Sequence, residues 1–175
     1  MARLAEEVVD GQWVLLAYRL PREPSTPRST IWRKLKRLGV AQISDGLVAL
    51  PADARTREAL EWIADEVLEH DGEAMIWLGH PADSRSTRSI RDRMSAAVAA
   101  EYAAVTEEAA GARTSDTAAR RRIAARLRRE MHRIEARDYF TPAERGIAMR
   151  AVDDLADETP KGIAPSRTRA AGARP

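Results

Sequence analysis

Short apolar runs alternate with longer amphipathic segments through residues 13–79, and few folds accept this order. The run 13–20 reads WVLLAYRL and stops at Pro21, which is typical of a buried β-strand. A second apolar stretch, 40–50, is divided by Asp45–Gly46, and this dipeptide between two apolar runs predicts a tight hairpin. The last apolar run is EAMIWLG, residues 73–79. The pattern therefore predicts four strands, of which the second and third form the hairpin.

Two amphipathic segments separate these strands. Residues 25–38 and 55–70 repeat apolar side chains at helical spacing, and a glycine follows each segment closely. The side chains expected to face the sheet are Ile31, Leu35, Leu38, Leu60, Ile63, Val67 and Leu68. The order β-α-β-β-α-β in about seventy residues is that of the ferredoxin-like split βαβ unit. We therefore predict an α+β fold in which residues 11–80 form a ferredoxin-like domain.

Helical patterns dominate the remaining chain. Residues 86–110 and 116–137 each carry an apolar stripe, and the short link GARTS between them predicts an antiparallel helical hairpin. The sequence TPAE at 141–144 has the form of a capping box and predicts a third helix. Its expected inward side chains are Ile147, Val152 and Leu155. Residues 81–157 are thus predicted as a helical extension, and the Pro-, Gly- and Arg-rich residues 158–175 as a disordered basic tail.

Charge is polarised within the first predicted domain. Residues 19–37 carry seven cations against Glu23, a local charge of +6, whereas 51–79 carry two cations against eight acids, a local charge of −6. Because apolar side chains occupy the inner face of helix 25–38, several of its cations must point outward together. Neighbouring cations on one helix can contact phosphates, with counterion release supplying affinity, and arginine adds bidentate geometry.

This reasoning selects a candidate DNA-binding surface. Its residues are Arg19, Arg22, Arg28, Arg33, Lys34 and Arg37. The alternative is a solvated face whose cations pair with the acidic helix, and exposed pairs of that kind contribute roughly 0–1 kcal/mol each. A second basic run, RRRIAARLRRE at 120–130, could lie along a duplex or could be an ordinary solvated helix face.

Several functional classes are disfavoured by composition. The chain has no cysteine, which excludes disulfides, thiolate catalysis and cysteine zinc sites and suits a reducing compartment. No apolar run is long enough for a membrane span, so we expect a cytoplasmic protein with no membrane partner. The three histidines lack ligand spacing, and no catalytic constellation is visible, so we expect neither a metal, nor a cofactor, nor an enzyme. We expect most of the four tryptophans in the core, although Trp32 and Trp62 could contact a second copy.

The chain also resembles a known family. The sequence WVLLAYRLPREPSTPRSTIWRKLKRLGVAQISDGLVALP resembles the N-terminal domain of ChrB, the chromate-resistance regulator family. The stretches TREALEWIADEV, GEAMIWLG and, at 126–140, RLRREMHRIEARDYF continue the likeness, which spans roughly residues 11–157. This resemblance implies a cytoplasmic bacterial regulator that is linked to chromate efflux operons and binds promoter DNA.

The family resemblance leaves two alternatives to a DNA-binding regulator. Full-length ChrB proteins carry a second, C-terminal domain, and this chain stops before it. The protein could therefore be an accessory module that works with a separately encoded ChrB C-terminal domain, without its own DNA binding. The fold also resembles the CRISPR-associated adaptation nucleases, in which an aspartate ends the first strand, but here that stretch is AYRLP with Arg19, so nuclease activity is not expected. We expect a homodimer, because the free face or edge of the sheet needs covering.

Overall fold

The computed structural model describes residues 11–157 as a four-stranded sheet with five α-helices. The strands are β1 (Trp13–Arg19), β2 (Ala41–Ser44), β3 (Leu47–Pro51) and β4 (Glu73–Gly79). The helices are α1 (Ser25–Leu38), α2 (Ala54–Glu69), α3 (Ser84–Gly111), α4 (Thr117–Glu135) and α5 (Ala143–Asp157), and a single 3₁₀ turn, Ala112–Thr114, follows α3. The predicted α+β class is confirmed, and most predicted boundaries lie within one or two residues of the observed ones.

The strand order is β2-β3-β1-β4, and every neighbouring pair is antiparallel. Since β1 and β2 both run antiparallel to β3, they are parallel to each other with β3 between them. Strands β3 and β4 both run antiparallel to β1, so they are likewise parallel to each other with β1 between them. This is the split arrangement that the sequence predicted. The hairpin turn requires glycine at Gly46, where φ is +73° and a Cβ would lie 2.4 Å from the Tyr18 carbonyl oxygen.

One face of the sheet carries the core shared with α1 and α2. Val14 and Leu16 of β1 and Val48 and Leu50 of β3 point to this face, since side chains two residues apart on a strand share a face, and Ala49 between the last two is buried as well. The core members that are fully buried are Val14, Leu16, Val48, Leu50, Ile31, Leu35, Leu60 and Val67. Helix α2 begins with a capping box in which the Thr56 amide donates to Asp53 Oδ1 at 2.6 Å. The shared apolar core holds both helices on the same face of the sheet.

Several predicted inward residues are exposed. Leu68 on α2 and Ile147 on α5 are exposed at 53% and 47%, so their assignment to the core was wrong. Each lies one position beside the buried stripe of its helix, which runs through Val67 on α2 and through Ala148 on α5. The expectation that most tryptophans are buried was also wrong. Trp13 is buried and Trp32 is half-buried, whereas Trp62 and Trp77 are exposed at 69% and 57%.

The helical extension builds a second core. Ion pairs join Glu108 of α3 to Arg126 of α4, and Glu101 of α3 to Arg137, which follows α4. The later residue of α4 thus pairs with the earlier residue of α3, so the two helices are antiparallel, as predicted. Helix α5 packs on both. The large side chains that are almost fully buried in this second core are Tyr102, Leu127, Ile134, Val152 and Leu155. Within the described residues, no helix combines the length and apolarity that crossing a membrane would need.

The segment after α4 connects the two cores. The Phe140 ring packs against the Trp13 ring at a tilt of 52°, with ring centroids 6.3 Å apart, and the Tyr139 hydroxyl donates to the Leu38 carbonyl oxygen at 2.7 Å. Met94 of α3 is buried in the first core rather than the second. The division into domains at residues 80 and 81 stays a prediction, and the predicted tail, 158–175, lies outside the described residues.

Candidate nucleic-acid interface

Helix α1 presents a cationic outer face. Ile31 and Leu35 are fully buried against the sheet, whereas Arg28, Arg33 and Arg37 are exposed. The helix carries no acidic side chain in its fourteen residues, so nothing on α1 itself neutralises these charges. The inward apolar stripe therefore forces the cations to the surface, as the sequence predicted.

Within residues 11–157, two of these arginines are bound only to neutral groups. Arg28 Nη2 donates to the Pro21 carbonyl oxygen at 2.7 Å. Arg33 donates through Nε to the Ser29 carbonyl oxygen at 3.3 Å and through Nη2 to Thr30 Oγ1 at 3.2 Å. These bonds orient each guanidinium without cancelling its charge, and its remaining N–H groups stay available to an anion.

Lys34 differs from its neighbours because it has an acidic partner. Its Nζ pairs with Glu66 Oε2 of α2, and the two side chains are 37% and 20% exposed. It is the one candidate cation that meets a carboxylate within residues 11–157. Lys34 therefore lies on the flank of α1 that faces the acidic helix, and it joins the two helices.

The other candidates lie at the two ends of α1. Arg19 ends β1 opposite Glu73 in the β1–β4 register, and Arg22 follows in the bend before the helix; both are exposed and neither forms an ion pair with a described residue. Arg37 lies in the last turn, roughly 14 Å from Arg28 along the helix axis. The structure thus spreads the six residues along α1 and its entry instead of gathering them at one point.

A cleft beside the end of α1 adds two cations that the sequence analysis missed, Arg93 and Arg137. The cleft has a volume of about 690 Å³, and Lys36 and Arg37 of α1, Arg93 of α3 and Arg137 all line it. Arg137 is already paired with Glu101, and the Lys36 ammonium lies 5.3 Å from the centroid of the Trp32 ring. Only the packing of α3 near β2 brings Arg93 next to α1, so no local sequence signal could have found it.

The second basic run is partly neutralised. Arg126 pairs with Glu108, and Arg128 Nη2 lies 3.0 Å from Asp153 Oδ1 of α5. Arg120 is buried and donates to the Arg113 carbonyl oxygen at 3.4 Å. Helix α4 therefore uses several of its arginines to hold α3 and α5, which favours the structural interpretation of this run.

The hairpin side of α1 holds a polar hollow. Tyr18, Arg28, Trp32 and Asp45 line it. Burial, with a smaller contribution from the Asp45 carboxylate, raises the pKa of Tyr18 above its ordinary value. The phenol is therefore protonated at neutral pH and can donate a hydrogen bond. Among residues 11–157, no three histidine, aspartate or glutamate side chains lie close enough to hold a metal ion.

The fold and the site define a small α+β protein that presents a basic helix at its surface. Residues 28–115 match the sequence model of the family described as Protein ChrB, N-terminal, and the chain belongs to this family. Protein ChrB of Cupriavidus metallidurans is 32% identical over 135 residues, which cover 73% of this chain and 40% of that protein. The chain thus spans well under half the length of this curated relative. No solved structure matches it.

Proposed function

We propose that the protein is a DNA-binding transcriptional regulator of the ChrB type, which contacts the phosphates of duplex DNA through α1. The contacting residues are Arg28, Arg33 and Arg37, with Arg19 and Arg22 in support at the entry of the helix. Lys36 and Arg93 extend the surface at its far end. In this proposal Lys34 stabilises the α1–α2 contact and does not bind phosphate. The protein acts in the cytoplasm, without catalysis and without a cofactor, and its link to chromate resistance follows from the family.

One observation carries the proposal: the cations of α1 form an outward-facing positive surface although the adjacent helix is acidic. The acidic helix reaches only Lys34, through Glu66. Had Arg33 and Arg37 been paired with carboxylates, a phosphate would have had to displace them. Their charges are instead free to replace condensed counterions on a duplex, which is the main source of affinity for phosphate-contacting proteins.

The test is the double variant Arg33→Glu with Arg37→Glu. We expect it to abolish binding to a labelled duplex taken from the region upstream of the protein's own gene, measured by gel shift and fluorescence anisotropy at several salt concentrations. The wild-type affinity should fall steeply as salt rises. With weaker variants such as Arg33→Ala, the slope of log affinity against log salt should shrink by about one for the lost phosphate contact.

A matched control is Arg85→Glu with Arg88→Glu, which makes the same change of charge at two exposed arginines of α3. This control should retain most of the affinity. An unchanged affinity in the α1 variant would refute the assignment, and an equal loss in both variants would reduce it to general electrostatic attraction. If the wild type retains a ChrB C-terminal-domain protein in a pull-down but no duplex, the accessory-module interpretation replaces ours.

A further inference from the structure

Exposed apolar side chains concentrate around one edge of the sheet. Strand β4 forms that edge, with β1 as its single neighbour. Met75 and Trp77 are exposed at 56% and 57% on the face turned away from α1 and α2, and Leu78 is exposed at 49%. Leu68 of α2, exposed at 53%, follows the same edge, because α2 packs over β1 and β4. These four are half of the exposed large apolar side chains among residues 11–157.

The two edges of the sheet differ in how well they are protected against pairing. Edge strand β2 is only four residues long, its register shifts between Gln42 and Ser44, and both of these residues are polar. Short length, bulges and polarity are the usual devices that prevent edge-to-edge association. Strand β4 has none of them: it pairs with β1 in unbroken register over seven residues, contains no proline, and carries its only charge at Glu73.

We propose that β4 pairs antiparallel with β4 of a second copy of this chain, which gives a two-fold symmetric dimer with a continuous eight-stranded sheet. The strand is self-complementary about Ile76. In that register each Met75 lies opposite the partner copy's Trp77, and each Ala74 lies opposite its Leu78. Side chains of opposed residues point to the same face, so both exposed Met75–Trp77 pairs become cross-strand contacts.

Charge is compatible with a second copy in this position. In this register Glu73 lies opposite Gly79, so no like charges meet across the interface. The chain's own residues 158–175 are a poor strand for this edge, because they contain Pro160, Pro165 and Pro175 and several arginines. An isologous contact also satisfies the free backbone groups of both copies at once.

The proposed contact does not rest on DNA binding. Helix α1 and the basic cleft lie toward β2, at the other side of the sheet, since the cleft is lined by Gln42 and Arg93. The dimer therefore leaves α1 and the cleft of each copy open, whereas Arg19 lies opposite Glu73 of β4. The two proposals use different residues, and either can fail alone.

Disulfide trapping tests the register, because the natural chain has no cysteine that could interfere. Two single-cysteine variants, Met75→Cys and Trp77→Cys, are made at different masses with a removable tag, mixed, allowed to exchange and oxidised. We expect the mixed disulfide to form faster than either homodimeric disulfide. Directly opposed residues meet the spacing that a disulfide needs, whereas diagonal positions two residues apart lie at about 7–8 Å.

Sedimentation of the full chain, without DNA, tests the dimer itself. Wild type should sediment as a dimer, and Met75→Glu with Trp77→Glu as a monomer whose circular dichroism is unchanged. Trp62→Glu with Met149→Glu is the control, since both residues are exposed apolar side chains away from β4, and it should remain dimeric. A monomeric wild type, a dimer that survives the β4 variant, or equal trapping of all cysteine combinations would overturn the proposal.

Discussion

Neighbouring cations on α1 have different surroundings, although the sequence groups them together. Lys34 is half-buried and paired with Glu66, whereas Arg33 and Arg37 are exposed and contact no carboxylate within the described chain. The difference comes from which flank of the helix faces α2. A run of positive residues therefore contains both a structural contact and candidate ligand contacts, and single substitutions can separate them.

Lys34→Ala and Arg37→Ala should change different properties of the protein, the first its stability and the second its DNA binding. Removing Lys34 breaks a partly exposed ion pair, so the free energy of unfolding should fall by up to about 1 kcal/mol while DNA affinity changes little. Removing Arg37 should leave stability within about 0.5 kcal/mol and should reduce the salt slope of binding by about one. Urea denaturation and anisotropy titrations measure both quantities. The reverse pattern would show that the assignment of the two residues is wrong.

At the scale of elements, the end of α1 depends on one glycine. Gly39 has a φ of +72°, and its amide donates to the Lys36 carbonyl oxygen at 3.1 Å. A Cβ at this position would lie 2.7 Å from the Cβ of Arg137, which packs over the helix end and lines the basic cleft. The sequence showed a glycine directly after this helical segment, but it held no sign that another segment presses against it.

Gly39→Ala should destabilise the protein by about 2 kcal/mol or more. The left-handed conformation alone costs an L-residue roughly 1–2 kcal/mol, and Arg137 must move in addition. Gly111→Ala is the control: that glycine ends α3 with an ordinary helical φ of −61° and has open space around it, so alanine should be neutral or stabilising by up to about 1 kcal/mol. Thermal and urea unfolding compare the two. Equal effects would contradict the packing described for the helix end.

At the scale of the whole molecule, two cores are joined by the short link between α4 and α5. Trp13 and Phe140 are the centre of this junction, and the Arg91 guanidinium lies 5.1 Å from the Phe140 ring centroid. All four tryptophans lie within residues 13–77, whereas α3, α4 and α5 hold most of the helical residues. Tryptophan fluorescence and helical circular dichroism therefore report on different halves of the molecule.

Phe140→Ala should weaken the coupling between these halves. In the wild type we expect the two signals to change together in urea, because the junction makes unfolding cooperative. The variant should lose about 2 kcal/mol, below the roughly 3–5 kcal/mol of a fully buried phenylalanine, and its two transitions should separate. Transitions that already differ in the wild type would instead favour two independent domains divided near residue 80.

The sequence alone determined the α+β class, the order of the elements and the outward direction of the α1 cations. Periodicity, capping residues and the Asp45–Gly46 turn are local signals, and they act over a few residues in any tertiary context. Only the tertiary structure decided that Lys34 meets Glu66, that Arg93 joins the basic surface and that Leu68 and Trp77 stay exposed beside an unprotected edge. These features depend on which elements pack side by side, and contacts between residues far apart in the chain leave no trace in its local pattern.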